Sequence, residues 1–222
     1  MLKFIGNGGA FDKTINSCAY YIFNKHNLVL LDCGENTFQA IKKVIDKNKI
    51  ANIFVCITHT HADHVNGLST LCHYAHFIAK CTLTIVCAED LRENIDTLMK
   101  INGNNGQYNI NHDIGYDNVV VRFVATKHCP ELKSYGILIW FGDTVCYYSG
   151  DSCVIPTFIK YLLKFNQIHY YYQDISLHHY EGNVHMSKQV FKKECPVEYK
   201  GKIIFYHHKK KFLDKLRELW YN

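Results

Sequence analysis

The chain has 222 residues, of which 48% are hydrophobic and 14% aromatic, and its formal net charge is +5. It can bury a full core, and no biased stretch marks a second domain, so we expect one domain spanning 1–222. The amino terminus lacks the apolar segment of a signal peptide and no later run spans a bilayer, which predicts a soluble, cytoplasmic protein that does not contact membranes.

The ten cysteines are spread along the chain without a CxxC pair. This pattern argues against a disulfide framework of the kind found in small secreted proteins, and we expect reduced thiols that fill the core. The modest positive charge, spread over the whole chain, is more typical of a solvated surface than of a footprint for an anionic partner.

In the first half, apolar runs bounded by turn residues predict short β-strands. These strands are 2–5, 18–23, 28–31, 53–57 and 83–86. Helical periodicity predicts helices at 38–47, from the histidine-rich loop 58–66 to Ala79, and around Leu91 to Leu98. The chain then enters an asparagine-rich and glycine-rich segment, 102–118, which is too polar to pack by itself. We expect a long loop there, serving as a lid or a dimer contact, or else a plain surface insertion.

The second half begins with strands at 119–125, 134–141 and 144–149, the last two joined by a tight turn at Gly142 and Asp143. A helix, strand, helix series closes the chain. Its last strand is 203–205. Its last helix begins with the basic run 209–211, and apolar residues recur along it at helical spacing, namely Phe212, Leu216, Leu219 and Trp220. Strands grouped in both halves with helices between them predict an α/β fold, an αββα sandwich of two packed sheets with helices outside.

The segment 58–64 places three histidines and an aspartate within six residues, directly after a predicted buried strand. In an extended segment, side chains two apart point the same way, so His59 and His61 can bind one ion. A following turn would bring Asp63 and His64 toward a second ion. Isolated histidines, such as His26 or His112, receive no role.

Further ligands are expected at other strand ends, where a sheet edge presents His128, Asp151 and His207. Imidazole and carboxylate without thiolate favour zinc, manganese or iron in an open catalytic site. The predicted sets are His59, His61 and His128 on one ion, Asp63, His64 and His207 on the other, and Asp151 bridging them. Such a pair supplies hydroxide at neutral pH and stabilises charge on an attacked phosphorus.

The HxHxDH motif at 59–64, the opening LKFIGNGGAF, the segment LLDCGENT and the later SGDS resemble the metallo-β-lactamase superfamily, and specifically its ribonuclease Z branch. The resemblance implies the metallo-β-lactamase fold, with two packed mixed β-sheets and helices on the outer faces. It also places all of the predicted ligands at the superfamily's metal positions, and it implies two divalent ions, Zn²⁺ first and Mn²⁺ as the alternative.

Two later segments are similar to motifs of the same branch: QDIS at 173–176 to its acidic motif, and HMS at 185–187 to its histidine-serine motif. The resemblance implies that His185 protonates the leaving oxygen and that Asp174 orients His185, whereas Asp63 belongs to the cluster that activates water. An imidazole near pH 7 is suited to give a proton to an alkoxide. The chain departs from the family at Gln173-Asp174, where His-Glu is usual.

The ribonuclease Z branch clamps tRNA with a long arm, but here only 22 residues separate His128 from Asp151 and the hairpin uses nearly all of them. Compact relatives of this branch include cyclic-nucleotide phosphodiesterases, among them phage anti-Pycsar enzymes. We therefore expect a small phosphodiester substrate, a cyclic nucleotide, and a role in evading anti-phage defence. Compact members also imply a homodimer in which a partner loop, here 102–118, completes the pocket.

Three alternatives remain at this point. The first is a nuclease that processes RNA 3′ ends, for which the run 209–211 offers the basic tract and binding should depend strongly on salt. The second is a thioester, lactone or lactam hydrolase, which needs no leaving-group acid at His185. The third is a non-enzymatic protein that keeps the fold, although such a protein would tolerate the loss of metal ligands.

Overall fold

A computed structural model describes residues 1–116, 118–176 and 179–207. The chain divides into two compact units, Met1–Ile114 and Gly115–Asn222, each with its own β-sheet. The predicted single domain stays a prediction. The predicted carboxy-terminal helix with its basic run 209–211 lies outside the described residues. Among the described residues, no helix is both long and apolar enough to cross a membrane.

The first unit contains a mixed six-stranded sheet in the order β1-β2-β3-β4-β5-β6. Its strands are β1 Lys3–Gly6, β2 Cys18–Phe23, β3 Asn27–Leu31, β4 Asn52–Cys56, β5 Thr82–Val86 and β6 Asn109–Asn111. The pairs β1–β2 and β2–β3 are antiparallel, and the pairs from β3 to β6 are parallel. Because β3 and β4 are central strands with side chains buried on both faces, their sequences are nearly continuous apolar runs.

The helices of the first unit follow its parallel strands. They are α1 Phe38–Asn48, α2 Ala62–Val65, α3 Leu68–His73, a π-helical turn Tyr74–Ala79, a 3₁₀ turn Glu89–Leu91 and α4 Arg92–Ile101. The predicted helix ending at Ala79 is therefore a series of three short pieces. Only glycine fits at position 67, between α2 and α3, because a Cβ there would lie 2.3 Å from the carbonyl oxygen of Gly34.

The second unit contains a mixed five-stranded sheet in the order β11-β10-β9-β8-β7. Its strands are β7 Val119–Thr126, β8 Ser134–Phe141, β9 Thr144–Tyr148, β10 Tyr170–Asp174 and β11 Lys202–Tyr206. The predicted hairpin is confirmed, since Phe141 pairs with Thr144 and Gly142 has a φ of 56°. The strands β7, β8 and β9 pair antiparallel, whereas β9, β10 and β11 pair parallel.

Two helices complete the second unit, α5 Thr157–Lys164 and α6 Lys188–Glu194. Their apolar faces join side chains of the sheet in one buried cluster that includes Ile159 and Leu163 of α5, Phe191 of α6 and Tyr147 and Tyr171 of the sheet. Removal of this surface from water is what holds the helices on the sheet. The cluster lies under the strands whose ends carry the candidate site.

The expectation of a structureless loop at 102–118 is wrong in part. Residues Asn109–Asn111 form β6, which pairs parallel with β5, and Asn104 is fully buried with its Nδ2 donating to the carbonyl of Ser69 at 3.2 Å. An edge strand such as β6 pairs through its backbone N–H and C=O groups and needs no apolar side chain. The polar composition of the segment therefore gave no sign of this strand. A lid or dimer role for this segment stays a prediction.

Candidate metal centre and catalytic site

In the first unit, β4 delivers the histidine-rich segment to the carboxyl edge of the sheet. His59 is buried, and its Nε2 lies 3.0 Å from Nδ1 of His61. The backbone is extended at His61 (φ −65°, ψ 151°) and then turns into α2, which carries Asp63 and His64. The Nε2 atom of His64 lies 3.5 Å from an Oδ2 of Asp63. One short segment thus gathers imidazole and carboxylate donors of the first unit at one place.

Asp32, the residue after β3, is a functional candidate that the sequence analysis missed. It is fully buried, and its Oδ1 accepts from the backbone N–H of Thr58 at 2.9 Å, while its Oδ2 lies 2.8 Å from Nδ1 of His64. A carboxylate can only accept, so Nδ1 of His64 carries the proton and Nε2 is left to bind a metal. The strand-end reasoning applied to His128 would also have found Asp32, within the segment LLDCGENT.

Two close backbone approaches fix the same segment. The backbone N–H of Cys33 donates to the carbonyl of His64 at 2.8 Å. A Cβ at Gly34 would lie 2.1 Å from the carbonyl oxygen of Asp63, so only glycine fits there without a shift of the backbone. The segment after β3 is therefore the support on which Asp63 and His64 rest.

In the second unit, a single carboxylate oxygen lies among three imidazoles. The Oδ2 of Asp151 is 3.3 Å from Nε2 of His207, 3.8 Å from Nε2 of His128 and 3.9 Å from Nδ1 of His185. The strands β7, β9 and β11 run parallel to one another, so their carboxyl ends present His128, Asp151 and His207 at the same edge of the sheet. Sequence reasoning about strand ends located Asp151, His128 and His207 in this unit.

The orientation of His128 is set by the backbone. Its Nδ1 lies 3.0 Å from the carbonyl of Val184, and since a carbonyl only accepts, Nδ1 carries the proton and Nε2 has the lone pair that can bind a metal. Burial lowers the pKa of His128 below its usual value, an effect that the negative charge of Asp151 partly opposes. Both features favour the neutral imidazole that metals bind.

Asp174, at the end of β10, is paired with His185. Asp174 is fully buried, and its Oδ2 accepts from Nδ1 of His185 at 2.9 Å and from the backbone N–H of Ser152 at 2.9 Å. The side chain of His185 is 26% exposed, which leaves its other ring nitrogen accessible to a ligand. Asp174, His185 and His207 each present one donor atom within 4.8 Å of the others.

The donor chemistry of both groups fits divalent cations. All of the gathered atoms are imidazole nitrogens or carboxylate oxygens, the donors that zinc and manganese accept in open catalytic sites. The separations of 3.3–3.9 Å around Asp151 are longer than good hydrogen bonds. They are the spacing expected of ligands that meet at an ion instead of at each other.

The comparisons with known proteins place the chain in one family. The family described as "Anti-Pycsar protein Apyc1" matches residues 1–219. The chain is 24% identical over 233 residues to the anti-Pycsar protein Apyc1 of Bacillus phage 010DV004, an alignment that covers 93% of this chain and 88% of the relative.

Solved structures show the fold. The metallo-β-lactamase fold protein YhfI from Bacillus subtilis superposes with a TM-score of 0.75 at 17% identity, over 98% of this chain and 92% of that one. Human tRNase Z, short form, superposes with a TM-score of 0.72 at 19% identity, over 95% of this chain and 93% of that one. The predicted metallo-β-lactamase fold, with its two mixed sheets and helices, is therefore confirmed.

Proposed function

Because the chain belongs to the anti-Pycsar protein Apyc1 family, we propose that it is a metal-dependent phosphodiesterase that hydrolyses a small phosphodiester, a cyclic nucleotide. The observation that carries this proposal is the pair of Asp174 and His185 beside Asp151. A thioester releases a thiolate, which leaves without a general acid, whereas the alkoxide released from a phosphodiester needs a proton.

The metal ligands that we propose are the residues of the sequence prediction. They are His59, His61 and His128 for one ion, Asp63, His64 and His207 for the other, and Asp151 between them. When bound, the ions lower the pKa of a water molecule to about 7 and stabilise negative charge on the attacked phosphate. Zn²⁺ is our first choice for the native ion, and Mn²⁺ is the second.

The chain's own groups supply the remaining chemistry. Oδ2 of Asp174 lies 2.9 Å from Nδ1 of His185 and accepts its proton in a hydrogen bond. The opposite ring nitrogen is therefore the one that gives a proton to the leaving oxygen. The Ser152 N–H keeps the same carboxylate oxygen in place at 2.9 Å. Asp63 accepts a hydrogen bond from the attacking water and thereby orients it, which is the catalytic role that we assign to it.

The biological setting follows from the family. The relative named above is an anti-Pycsar protein of a Bacillus phage, and we propose that this chain likewise acts against a nucleotide-based defence in the cytoplasm of an infected cell. We also propose a homodimer in which the segment 102–118 reaches the partner's pocket.

The test is a substrate panel with matched variants. The purified protein, loaded with Mn²⁺ or Zn²⁺, is incubated with 3′,5′-cyclic nucleotides, a precursor tRNA and a thioester, and products are separated by chromatography. We expect nucleoside monophosphates from the first substrate. His185→Ala should lower kcat by about 10²- to 10⁴-fold with metal content unchanged, whereas Asp151→Ala should lose both metal and activity.

The control is His26→Ala, since His26 is exposed and lies outside both the proposed ligands and the segment 102–118. It should turn over cyclic nucleotides at the wild-type rate. Cleavage of the tRNA alone would establish the ribonuclease Z-like alternative. Turnover of the thioester, unaffected by His185→Ala, would favour a carbonyl hydrolase.

A further inference from the structure

Two buried hydroxyls lie beneath the turn that carries Asp151. Tyr206 is the last residue of β11 and is fully buried, and Ser149 follows β9 and is 1% exposed. Their oxygen atoms are 3.1 Å apart. Neither hydroxyl belongs to the proposed ligands or to the acid pair.

Both hydroxyls converge on one carbonyl. The Oγ of Ser149 donates to the carbonyl of Gly150 at 2.6 Å, and the hydroxyl of Tyr206 donates to the same oxygen at 2.8 Å. A carbonyl oxygen has two lone pairs, so it can accept both bonds. The Oγ of Ser149 also accepts the backbone N–H of Asp174 at 2.9 Å.

These bonds tie together the backbones of the two carboxylates. The carbonyl of Gly150 belongs to the peptide that leads into Asp151, and Gly150 itself has a left-handed φ of 59°. The N–H that Ser149 accepts is that of Asp174, whose carboxylate holds His185. The Tyr206 ring stacks on Tyr148 with centroids 4.7 Å apart and an 11° interplanar angle, so its position does not depend on the hydroxyl alone.

We propose that Ser149 and Tyr206 are positioning residues that fix Asp151 for metal binding and Asp174 for orienting His185, an inference that rests on the proposed metal-dependent function. They act through the backbone, since each bond ends on a main-chain atom of Gly150 or Asp174. When the carbonyl of Gly150 loses one of its two donors, the protein still folds, but the peptide between Gly150 and Asp151 gains freedom to rotate. The carboxylate of Asp151 then leaves its best position.

The test compares two tyrosines of the same unit. Tyr206→Phe removes one donor to Gly150 and keeps the stacked ring. Tyr147→Phe is the matched control, because the Tyr147 hydroxyl is equally buried but lacks a hydrogen bond to any described residue. That hydroxyl packs against Gly136, where an added Cβ would lie 2.1 Å from it. Metal affinity is measured by competition with a chromophoric chelator, and the Co²⁺-loaded proteins are compared by visible absorption.

We expect Tyr206→Phe to bind Co²⁺ and Zn²⁺ about 10-fold more weakly, with a changed ligand-field spectrum and a lower kcat at unchanged KM. Tyr147→Phe should match the wild type in all three readouts. If Tyr206→Phe does not fold, as judged by circular dichroism, Ser149→Ala replaces it, and the same loss of affinity is expected.

Wild-type affinity and spectrum in the folded variant would overturn the inference while leaving the proposed function intact. If the wild type binds metal but hydrolyses no phosphodiester, the proposed function fails, and the affinity comparison still decides the positioning role. A wild-type protein that binds no metal would overturn both.

Discussion

Replacement of Asp32 by alanine should damage the histidine-rich segment more than any exposed substitution in the first unit. Asp32 is fully buried and accepts hydrogen bonds from the N–H and Oγ1 of Thr58, at 2.9 and 3.0 Å, and from Nδ1 of His64, at 2.8 Å. Alanine offers no acceptor to any of these donors. The hydroxyl of Thr58 can turn to Nδ1 of His59, which lies 3.0 Å away. Nδ1 of His64 keeps only a long contact of 3.5 Å with the same hydroxyl, so it and the Thr58 N–H both lose their good acceptor.

The magnitude follows from those two donors. A buried donor left without an acceptor costs about 1–3 kcal/mol, so Asp32→Ala should lower the free energy of unfolding by roughly 2–6 kcal/mol. Many domains have a total stability of only about 5–15 kcal/mol. The ring of His64 also loses the contact that sets its tautomer, and metal affinity should fall about 10- to 100-fold.

Urea denaturation followed by circular dichroism measures the first effect, and competition with a chelator measures the second. The control is Asp113→Ala, an exposed carboxylate of the same unit, which should stay within about 0.5 kcal/mol of the wild type. If Asp32→Ala loses less than about 1 kcal/mol and binds metal as tightly as the wild type, the proposed support of His64 by Asp32 is wrong.

Three further predictions concern other residues of the two units. Gly34→Ala should lower metal affinity and the melting temperature, because its Cβ would lie 2.1 Å from the carbonyl oxygen of Asp63, and wild-type behaviour in both would contradict this reading. Ser187→Ala should lower the urea midpoint by removing the cap bond that Ser187 Oγ accepts from Val190, worth about 1 kcal/mol. Burial raises the pKa of Cys33 to about 12, so the stability this thiol contributes is present below about pH 9 and is lost as the pH rises toward its folded pKa. The urea midpoint should therefore fall above pH 9, and Cys33→Ala should weaken that fall; an identical slope in the variant would refute the assignment to Cys33.

Local sequence patterns predicted those parts of the fold in which backbone and side chains agree. The hairpin at Gly142 was predictable because a tight turn between two apolar strands has its own signature. The strand β6 was not, because its pairing with β5 uses backbone groups and its side chains are polar. The requirement for glycine at position 67 depends on the close approach of the Gly34 carbonyl, which no local pattern contains.

The candidate site shows the same division. The segment 58–64 can be recognised from the sequence alone, because its imidazole and carboxylate side chains are close together in the chain. The pairing of Asp174 with His185 was expected only from the family resemblance, because the contact depends on how the chain returns after β10. Asp32 was overlooked although it follows β3 directly, because its contact with Nδ1 of His64 joins residues far apart in the sequence.

The central claim is that this chain uses water to open a small phosphodiester. The most direct measurement is hydrolysis of a 3′,5′-cyclic nucleotide by the Zn²⁺-loaded or Mn²⁺-loaded protein in H₂¹⁸O, followed by ³¹P NMR of the product. We predict a nucleoside monophosphate that carries ¹⁸O on phosphorus, formed by the wild type and strongly reduced in His185→Ala. Unchanged cyclic nucleotide after incubation of the metal-loaded wild type would contradict the account.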